Sequence, residues 1–385
     1  MSAGEIESEF ELNELRAAVR GYLDRHVAPL VEPHEATHTF PWEILPALRE
    51  FGYVGGLVDP ADGGDGISFT ALAVLMEEAG RCWGSLRTTV NVMTIVPYVL
   101  AQTCNEDQKE RFLRRLLDVS SRAWIAITES EAGSDAGAMR TRAVREGDSY
   151  RINGRKLYIT NGASNDIGVV LASTDPARGS KGISAFLVDA AESPYEAIEM
   201  RHMSVRATNN CELIFDDVEV PAANLIGAEG EGLRVAMRAI NVGRMNMAMG
   251  AVGIAEAALA IATDHVKERR QFGRPLAGFQ LVQRLIVEAA TQIEAARRLG
   301  LHAAATLDAG GQGRVECSMA KLFCAEACNS AVTNALQACG GAGLMEEMQI
   351  ERMYRDVREA SIPEGTSELQ ILNIGKELLG VSALR

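Results

Sequence analysis

The stretch SIPEGTSELQ, residues 361 to 370, sets a single carboxylate, Glu364, between Pro363 and Gly365. Behind it the apolar residues Leu369, Ile371, Leu372, Ile374, Leu378 and Leu379 recur with helical spacing. Proline fixes the backbone on one side of the acid and glycine frees it on the other. The carboxylate is thus presented at a loop-to-helix junction, a place suited to a general base. The same acid would also complement the positive end of the helix dipole, and Ser367 with Gln370 three positions on has the spacing of a capping box. Ser367 is therefore the expected cap, and Glu364 is either a base or a dipole partner.

Other chemistry-bearing residues offer less. The seven cysteines are odd in number and include no C-x-x-C pair, which argues against a disulfide framework. Cys317, Cys324 and Cys328 fall on one face of a helical pattern, as buried cysteines do, and the six histidines are scattered without ligand spacing. No metal is expected.

A chain of 385 residues with 47% hydrophobic content can build two or three packed units. Its net charge of −14 argues against a nucleic-acid or anionic-membrane partner, because both require a positive surface. The opening MSAGEIESEFELNELRAAVR is acidic and lacks the apolar core of a targeting peptide. The longest apolar run, from Met245, contains Glu256 and reads as a buried helix rather than a membrane span. The expected location is cytoplasmic.

The elements that must position Glu364 come in three blocks. Helical period holds over 7–118, broken by the turn-rich VDPADGGDGIS at 58–68. Over 123–221 the β-rich runs WIAITE, SYRINGRKLYIT, IGVVLAS, ISAFLVD and CELIFDDVEV alternate with turns, with Asn-Gly at 153–154 and 161–162 as turn signals. After GAEGEG at 227–232 the helical period returns over 232–264, 280–307, 314–339 and 367–379. Blocks without strand–helix alternation exclude a doubly wound sheet. They imply a mainly α protein with a central β domain, a small barrel or sandwich, divided at 1–120, 121–228 and 229–385. Neither GAEGEG nor GGAG at 340–343 is a dinucleotide fingerprint, since the first is acidic and the second follows a helix.

Seven segments then acquire a joint meaning: AITESEAGSDAGAMRTRA (126–143), GRKLYITNG (154–162), LIFDDVEVP (213–221), ERRQFGRPLAGFQ (268–280), QACGGAG (337–343), MYRDVR (353–358) and PEGTSE (363–368). Their order and spacing resemble the acyl-CoA dehydrogenase flavoprotein family over essentially the whole chain. The resemblance implies an N-terminal helical domain, a middle β domain and a C-terminal four-helix domain, usually in a homotetramer. It also implies FAD held between the β domain and the C-terminal helices, with a neighbouring subunit at the adenosine side. The implied reaction is α,β-dehydrogenation of an acyl thioester, with an electron-transfer flavoprotein as partner.

Glu364 matches the glutamate of the family's E-G-T sequence, the base that removes the α-proton while a hydride leaves the β-carbon for flavin N5. Its backbone N–H would hold the thioester oxygen, with Gly365 beside it on the substrate side. ITESEAGSD resembles the segment that wraps the flavin, which assigns Ile127, Thr128, Gly133 and Ser134 to the cofactor and Ser134 also to the thioester. YIT stands where the family usually has W-I-T, placing Tyr158 against the flavin ring and Thr160 within hydrogen-bonding reach. Arg269, Phe272 and Gln280 resemble residues that grip the pyrophosphate and adenosine across a subunit boundary. Gln337, Gly340 and Gly341 match Q-x-x-G-G-x-G, and Thr366 and Glu368 complete the cofactor set.

Departures fall on the substrate side. INVGR at 240–244 carries Asn241 where many members have an acid, while Arg244 is retained; Pro363 replaces a common Tyr or Phe. Arg87, in WGSLRTTVNVM, would pair with an acidic or hydroxylated acyl group if it faces the acyl pocket. Two other functions share the fold: dehydrogenation of a thioester on an acyl carrier protein, which Asn241 favours modestly, and a non-catalytic flavin-bearing protein with a partner such as DNA. Glu364 and the acidic charge weigh against the latter.

Overall fold

The computed structural model describes residues 9–164 and 166–383. The acidic opening octapeptide lies outside the described residues. The first block gives α1 (Glu9–His26), α2 (Ala28–Thr37), α3 (Leu45–Arg49), α4 (Phe69–Cys82), α5 (Gly84–Thr103), α6 (Glu106–Gln108) and α7 (Arg114–Leu117), the last two joined by a wide π turn. Ser68 caps α4 by accepting from the Ala71 N–H at 2.9 Å. The chain breaks between α4 and α5 at Trp83, which is extended.

The β block contains β1 (Ala123–Ala126), β2 (Arg142–Glu146), β3 (Ser149–Thr160), β4 (Ile167–Ser173), β5 (Ile183–Asp189), β6 (Glu196–Glu199), β7 (Asn210–Pro221) and β8 (Leu225–Ile226). Strand order is β6-β7-β3-β2-β4-β5-β8, with β1 parallel to β4. The two wings meet at a single ladder pair, Arg142 with Ser173. One apolar cluster, including Trp124, Tyr150, Phe186 and Leu213, is shared by both wings. The alternate residues Ile167, Val169 and Leu171 of β4 join the helical core instead. That double burial explains why IGVVLAS is apolar throughout. Asn153 and Gly154 make a bulge inside β3 rather than the expected turn. A Cβ at 154 would lie 2.4 Å from Thr141 Oγ1, so the glycine serves close strand approach.

The third block holds α8 (Gly232–Glu268), a small hairpin of β9 (Arg270–Gln271) and β10 (Arg274–Pro275), α9 (Gln280–Asp308), α10 (Arg314–Cys339), α11 (Ile350–Arg358) and α12 (Ser367–Leu379). By length and composition α8 could cross a membrane, but it is mostly buried against α4, α5, α9 and α10. The cap of α12 is Thr366, which accepts from the Leu369 N–H at 3.3 Å. Ser367, expected in that role, donates instead to Glu326 at 2.6 Å.

A buried ion network ties the first block to the third. Glu78 on α4 accepts from Arg16 at 3.0 Å, Arg20 at 2.7 Å and Arg81 at 2.7 Å, while Glu77 binds Arg16 and Arg297, each at 2.8 Å. Burial pushes the Glu78 pKa up, but Arg20 and Arg81 carry it below the usual carboxylate value. Removing a buried anion leaves its cations uncompensated. Glu78→Ala should therefore cost about 3 kcal/mol, read as a lowered denaturant midpoint; a midpoint within error of the parent contradicts this.

Candidate active site

Glu364 lies between α11 and α12 with φ 58°, and Gly365 follows at φ 87°. A left-handed backbone costs a residue with a Cβ roughly 1–3 kcal/mol and persists only where its surroundings impose it. Here the carbonyl oxygens impose it. That of Glu364 accepts from Gln370 Nε2 at 3.0 Å and Arg244 Nε at 3.3 Å. That of Gly365 accepts from Lys321 Nζ at 2.7 Å and Gln370 Nε2 at 2.8 Å.

The turn lays the Glu364 carboxyl group on α8. A Cβ at Gly243 would stand 2.5 to 2.7 Å from the carboxyl atoms, so only glycine leaves room. From α5, Asn91 donates to the carboxylate. Its own oxygen accepts from Asn246 Nδ2 at 2.9 Å, which fixes the amide's direction.

Burial raises the Glu364 pKa, and Arg244, the Asn91 hydrogen bond, Lys321 and Arg87 oppose that rise without cancelling it. Lys321 is pulled down to about 8 by burial, with Glu364 opposing. Arg244 is held by Asn241 Oδ1 at 3.1 Å and Ser318 Oγ at 3.3 Å, and Asn241 in turn donates to the Gln312 carbonyl at 2.9 Å. Asn241 thus acts on the site through Arg244. Arg87 on α5 is buried, crosses α8 at Gly250, and donates from Nη2 to Glu359 at 3.0 Å.

A second group gathers where β1 and β3 meet. The Thr128 carbonyl accepts from the Leu157 N–H at 2.9 Å, and that of Ile127 from Lys156 Nζ at 2.9 Å. Lys156 also binds the buried Glu129 carboxylate at 2.7 Å, which in addition accepts the N–H groups of Arg140 and Thr141 at 2.6 and 3.0 Å. Burial lowers the Lys156 pKa to about 8, with Glu129 opposing. This pair pins both ends of the loop carrying Gly133 and Ser134, which are exposed. Tyr158 is 62% exposed, next to half-buried Thr128 and Thr160, and nothing lies within 4 Å of a Cβ built on Gly133. An uncovered ring beside hydroxyls and bare backbone fits a flat ring system with a hydrogen-bonding edge.

The remaining candidates stand apart. Arg269, Phe272 and Gln280 are exposed around the β9–β10 hairpin, Phe272 by 93%. Since α9 and α10 form an antiparallel pair, exposed Gln337, Gly340 and Gly341 lie at the same end of the bundle. Among the described residues no hydrogen bond links this group to the other two. Thr366 and Glu368 border a cleft of about 350 Å³ with Glu326, Asn329, Arg358 and Ser361.

The family models for the acyl-CoA dehydrogenase N-terminal, middle and C-terminal domains match residues 9–120, 125–218 and 230–379. The chain belongs to the acyl-CoA dehydrogenase family. It is 38% identical to an acyl-CoA dehydrogenase of Bacillus subtilis over 95% of this chain and 97% of that one. It is 36% identical to the caffeyl-CoA reductase-Etf complex subunit CarC of Acetobacterium woodii, over 95% and 97%. A glutaryl-CoA dehydrogenase from Mycobacterium smegmatis solved in complex with FADH2 superposes with a TM-score of 0.92 at 28% identity, covering 98% of this chain and 97% of that chain.

Several residues of this acyl-CoA dehydrogenase site escaped the sequence reading. Asn91, Glu129 and Lys156 act through contacts distant in sequence. Lys321 carried a visible signal, because it interrupts the apolar stripe of Cys317, Cys324 and Cys328 on α10. Replacing Lys156 by Met strands the Glu129 anion, so the variant should lose about 3–5 kcal/mol and retain less flavin. Thermal unfolding and the flavin-to-protein absorbance ratio check this; a variant matching the parent in both contradicts it.

Proposed function

We propose that the chain is an FAD-dependent acyl-CoA dehydrogenase in which Glu364 is the α-proton base. The observation that carries this reading is the strained turn at Glu364, which sets a carboxyl of raised pKa against the bare Gly243. The residues beside Tyr158 suit FAD, which when bound supplies the acceptor for the hydride leaving the β-carbon. Ile127, Thr128, Gly133, Ser134, Tyr158 and Thr160 would hold its ring. Glu364, ionised, takes the proton from the α-carbon, and a base of raised pKa does so with better driving force. Its backbone N–H donates to no acceptor among the described residues and is free to hold the thioester oxygen as charge develops there. Gly365 follows at φ 87°, where a Cβ would stand 2.9 Å from Gln370 Nε2, so the turn needs a glycine at this step.

A second reading runs the same residues in reverse as an enoyl-CoA reductase, with protonated Glu364 delivering the proton. The raised Glu364 pKa and the similarity to a caffeyl-CoA reductase subunit support it. Either way an electron-transfer flavoprotein is the fitting redox partner, the cytoplasm the fitting location, and 1–120, 121–228 and 229–385 the working units.

Glu364→Gln keeps size and removes the basic electron pair. Flavin reduction by an acyl-CoA under anaerobic stopped flow should slow by roughly 10²–10⁴-fold. Near-parental bleaching would falsify Glu364 as the base. The parent rate should rise with pH through a step above the ordinary glutamate value of 4.5, absent in the variant. Stability follows with its own sign. A raised folded-state pKa means that ionising Glu364 costs stability as pH climbs through it, so the Gln variant should melt at or above the parent at neutral pH.

Exposed Phe272, Leu281 and Val287 favour a homotetramer in which Arg269, Phe272, Gln280, Gln337, Gly340 and Gly341 meet the cofactor of a neighbour. Arg269→Ala should then lower flavin content and loosen assembly together. Sedimentation with absorbance at the flavin and protein bands tests it, and a fully loaded tetramer would sink it.

A further inference from the structure

Arg244 is a buried cation whose hydrogen-bond partners are all neutral. Its Nη1 donates to Asn241 Oδ1 at 3.1 Å and to Ser318 Oγ at 3.3 Å, and its Nε donates to the Glu364 carbonyl at 3.3 Å. The neighbours able to carry a negative charge near it are the Glu364 carboxyl and the Cys317 thiol. Burial keeps that thiol protonated by pushing its pKa up to about 12. Glu364 is therefore the acid that Arg244 serves.

Burial raises the proton affinity of Glu364, and among the groups that lower it Arg244 comes first, ahead of the Asn91 hydrogen bond, Lys321 and Arg87. The other two cations have competitors. Lys321 also feels Glu326 and Glu368, and Arg87 is paired with Glu359 at 3.0 Å. Arg244 has no such competitor among the described residues, because the side chain one turn before it on α8 is an amide. Asn241 Nδ2 donates to the Gln312 carbonyl at 2.9 Å, which turns Oδ1 toward the guanidinium and fixes the amide's direction. A carboxylate at this position would accept from the same Nη1 with a full charge and divide the field of Arg244 between two anions.

We propose that Asn241 is a positioning residue whose neutrality reserves the charge of Arg244 for Glu364, so that the base stays ionised to a lower pH than an acid at 241 would permit. This rests on the reading of Glu364 as the base. Asn241 is half-buried, so an acid is tolerated there and water damps its charge. The consequence is a displaced pH dependence rather than lost chemistry.

The test compares the parent, Asn241→Asp and Asn241→Ser, all FAD-loaded, at saturating acyl-CoA. It reads the limiting rate of anaerobic flavin bleaching against pH. Serine shortens the side chain and keeps it neutral, so it reports packing alone. The rate step should move to higher pH by roughly one unit in the Asp variant and stay with the parent in the Ser variant. Below the parent's step the Asp variant should then bleach up to about tenfold more slowly at equal pH. An unmoved step in the Asp variant overturns the proposal, and so do equal displacements in both variants. Should the Asp variant not fold, Asn241→Glu takes its place with the same expectation and the same refutation.

Melting supplies a readout that needs no turnover. The advantage in Tm of Glu364→Gln over the protein that keeps the acid grows with pH from the ordinary glutamate value and levels off at the folded one. In the Asn241→Asp background it should level off at higher pH than in the parent background. A bleaching step that survives Glu364→Gln, or no bleaching by any acyl-CoA, sinks the reading of Glu364 as the base. The melting comparison still decides the electrostatic assignment of Asn241, which falls if both backgrounds level off at the same pH.

Discussion

The close approach of three elements to one bare stripe of α8 sets the geometry of the site. At Gly243 the Glu364 carboxyl rests on the helix, at Gly250 the Arg87 side chain does, and at Gly253 a Cβ would sit 1.9 Å from the Glu77 carbonyl. Gly80 of α4 returns the contact, its own Cβ position falling 2.2 Å from the Gly250 carbonyl. Spacings of seven and three keep these glycines on one face, so α4, α5 and the turn before α12 all read the same surface. A methyl group at Gly243 or Gly250 moves an element that carries a site residue, and one at Gly253 or Gly80 pushes α4 off α8; packed interiors do not yield that distance cheaply.

That closeness creates an electrostatic problem which the surrounding cations settle only in part. Removing Glu364 from water raises its pKa, and Arg244, Lys321, Arg87 and the Asn91 amide pull it back without restoring it. Full restoration to the ordinary glutamate value would have left a weaker base. Lys321 feels the converse, its ammonium disfavoured by burial and favoured by Glu364. The β-domain pair of Glu129 and Lys156 is the contrasting case. There Glu129 is held below the usual carboxylate range: burial pushes it up, and the Lys156 charge with hydrogen bonds from Thr141 and the Arg140 N–H outweigh that burial. One carboxylate is left easier to protonate than an ordinary glutamate, while the other keeps its charge and holds a loop.

How much of this was legible depended on the range of the deciding contact. The span 314–339 coincides with α10 because its period reports burial along one continuous helix. Ser367 was misread as the cap because Thr366 and Ser367 are chemically equivalent in local pattern, and Glu326, distant in sequence, claims the Ser367 hydroxyl. Asn153–Gly154 signalled a turn because local sequence cannot contain Thr141, whose approach demands the glycine. Glu364 was ambiguous between base and dipole partner in its local sequence, where only the family resemblance favoured the base; its left-handed backbone and the partners of its carbonyl were not legible there. Arg87 was legible only as a conditional, its burial being a property of α5 and α8 together.

The donors that hold the turn also explain how Glu364 can change protonation without losing its place. Arg244, Lys321 and Gln370 bind the carbonyl oxygens of Glu364 and Gly365, whereas the carboxylate itself is held by the Asn91 amide. Strain in the backbone is thereby borne by bonds that do not titrate with the carboxyl group. If the same cations gripped the carboxylate directly, each proton taken up would release the turn and let φ relax to an unstrained value. Placed one peptide away, they still lower the cost of the negative charge through space while the geometry stays fixed. The separation of a positional role, exerted on carbonyls, from an electrostatic role, exerted on the carboxyl, lets a single cluster of cations serve both.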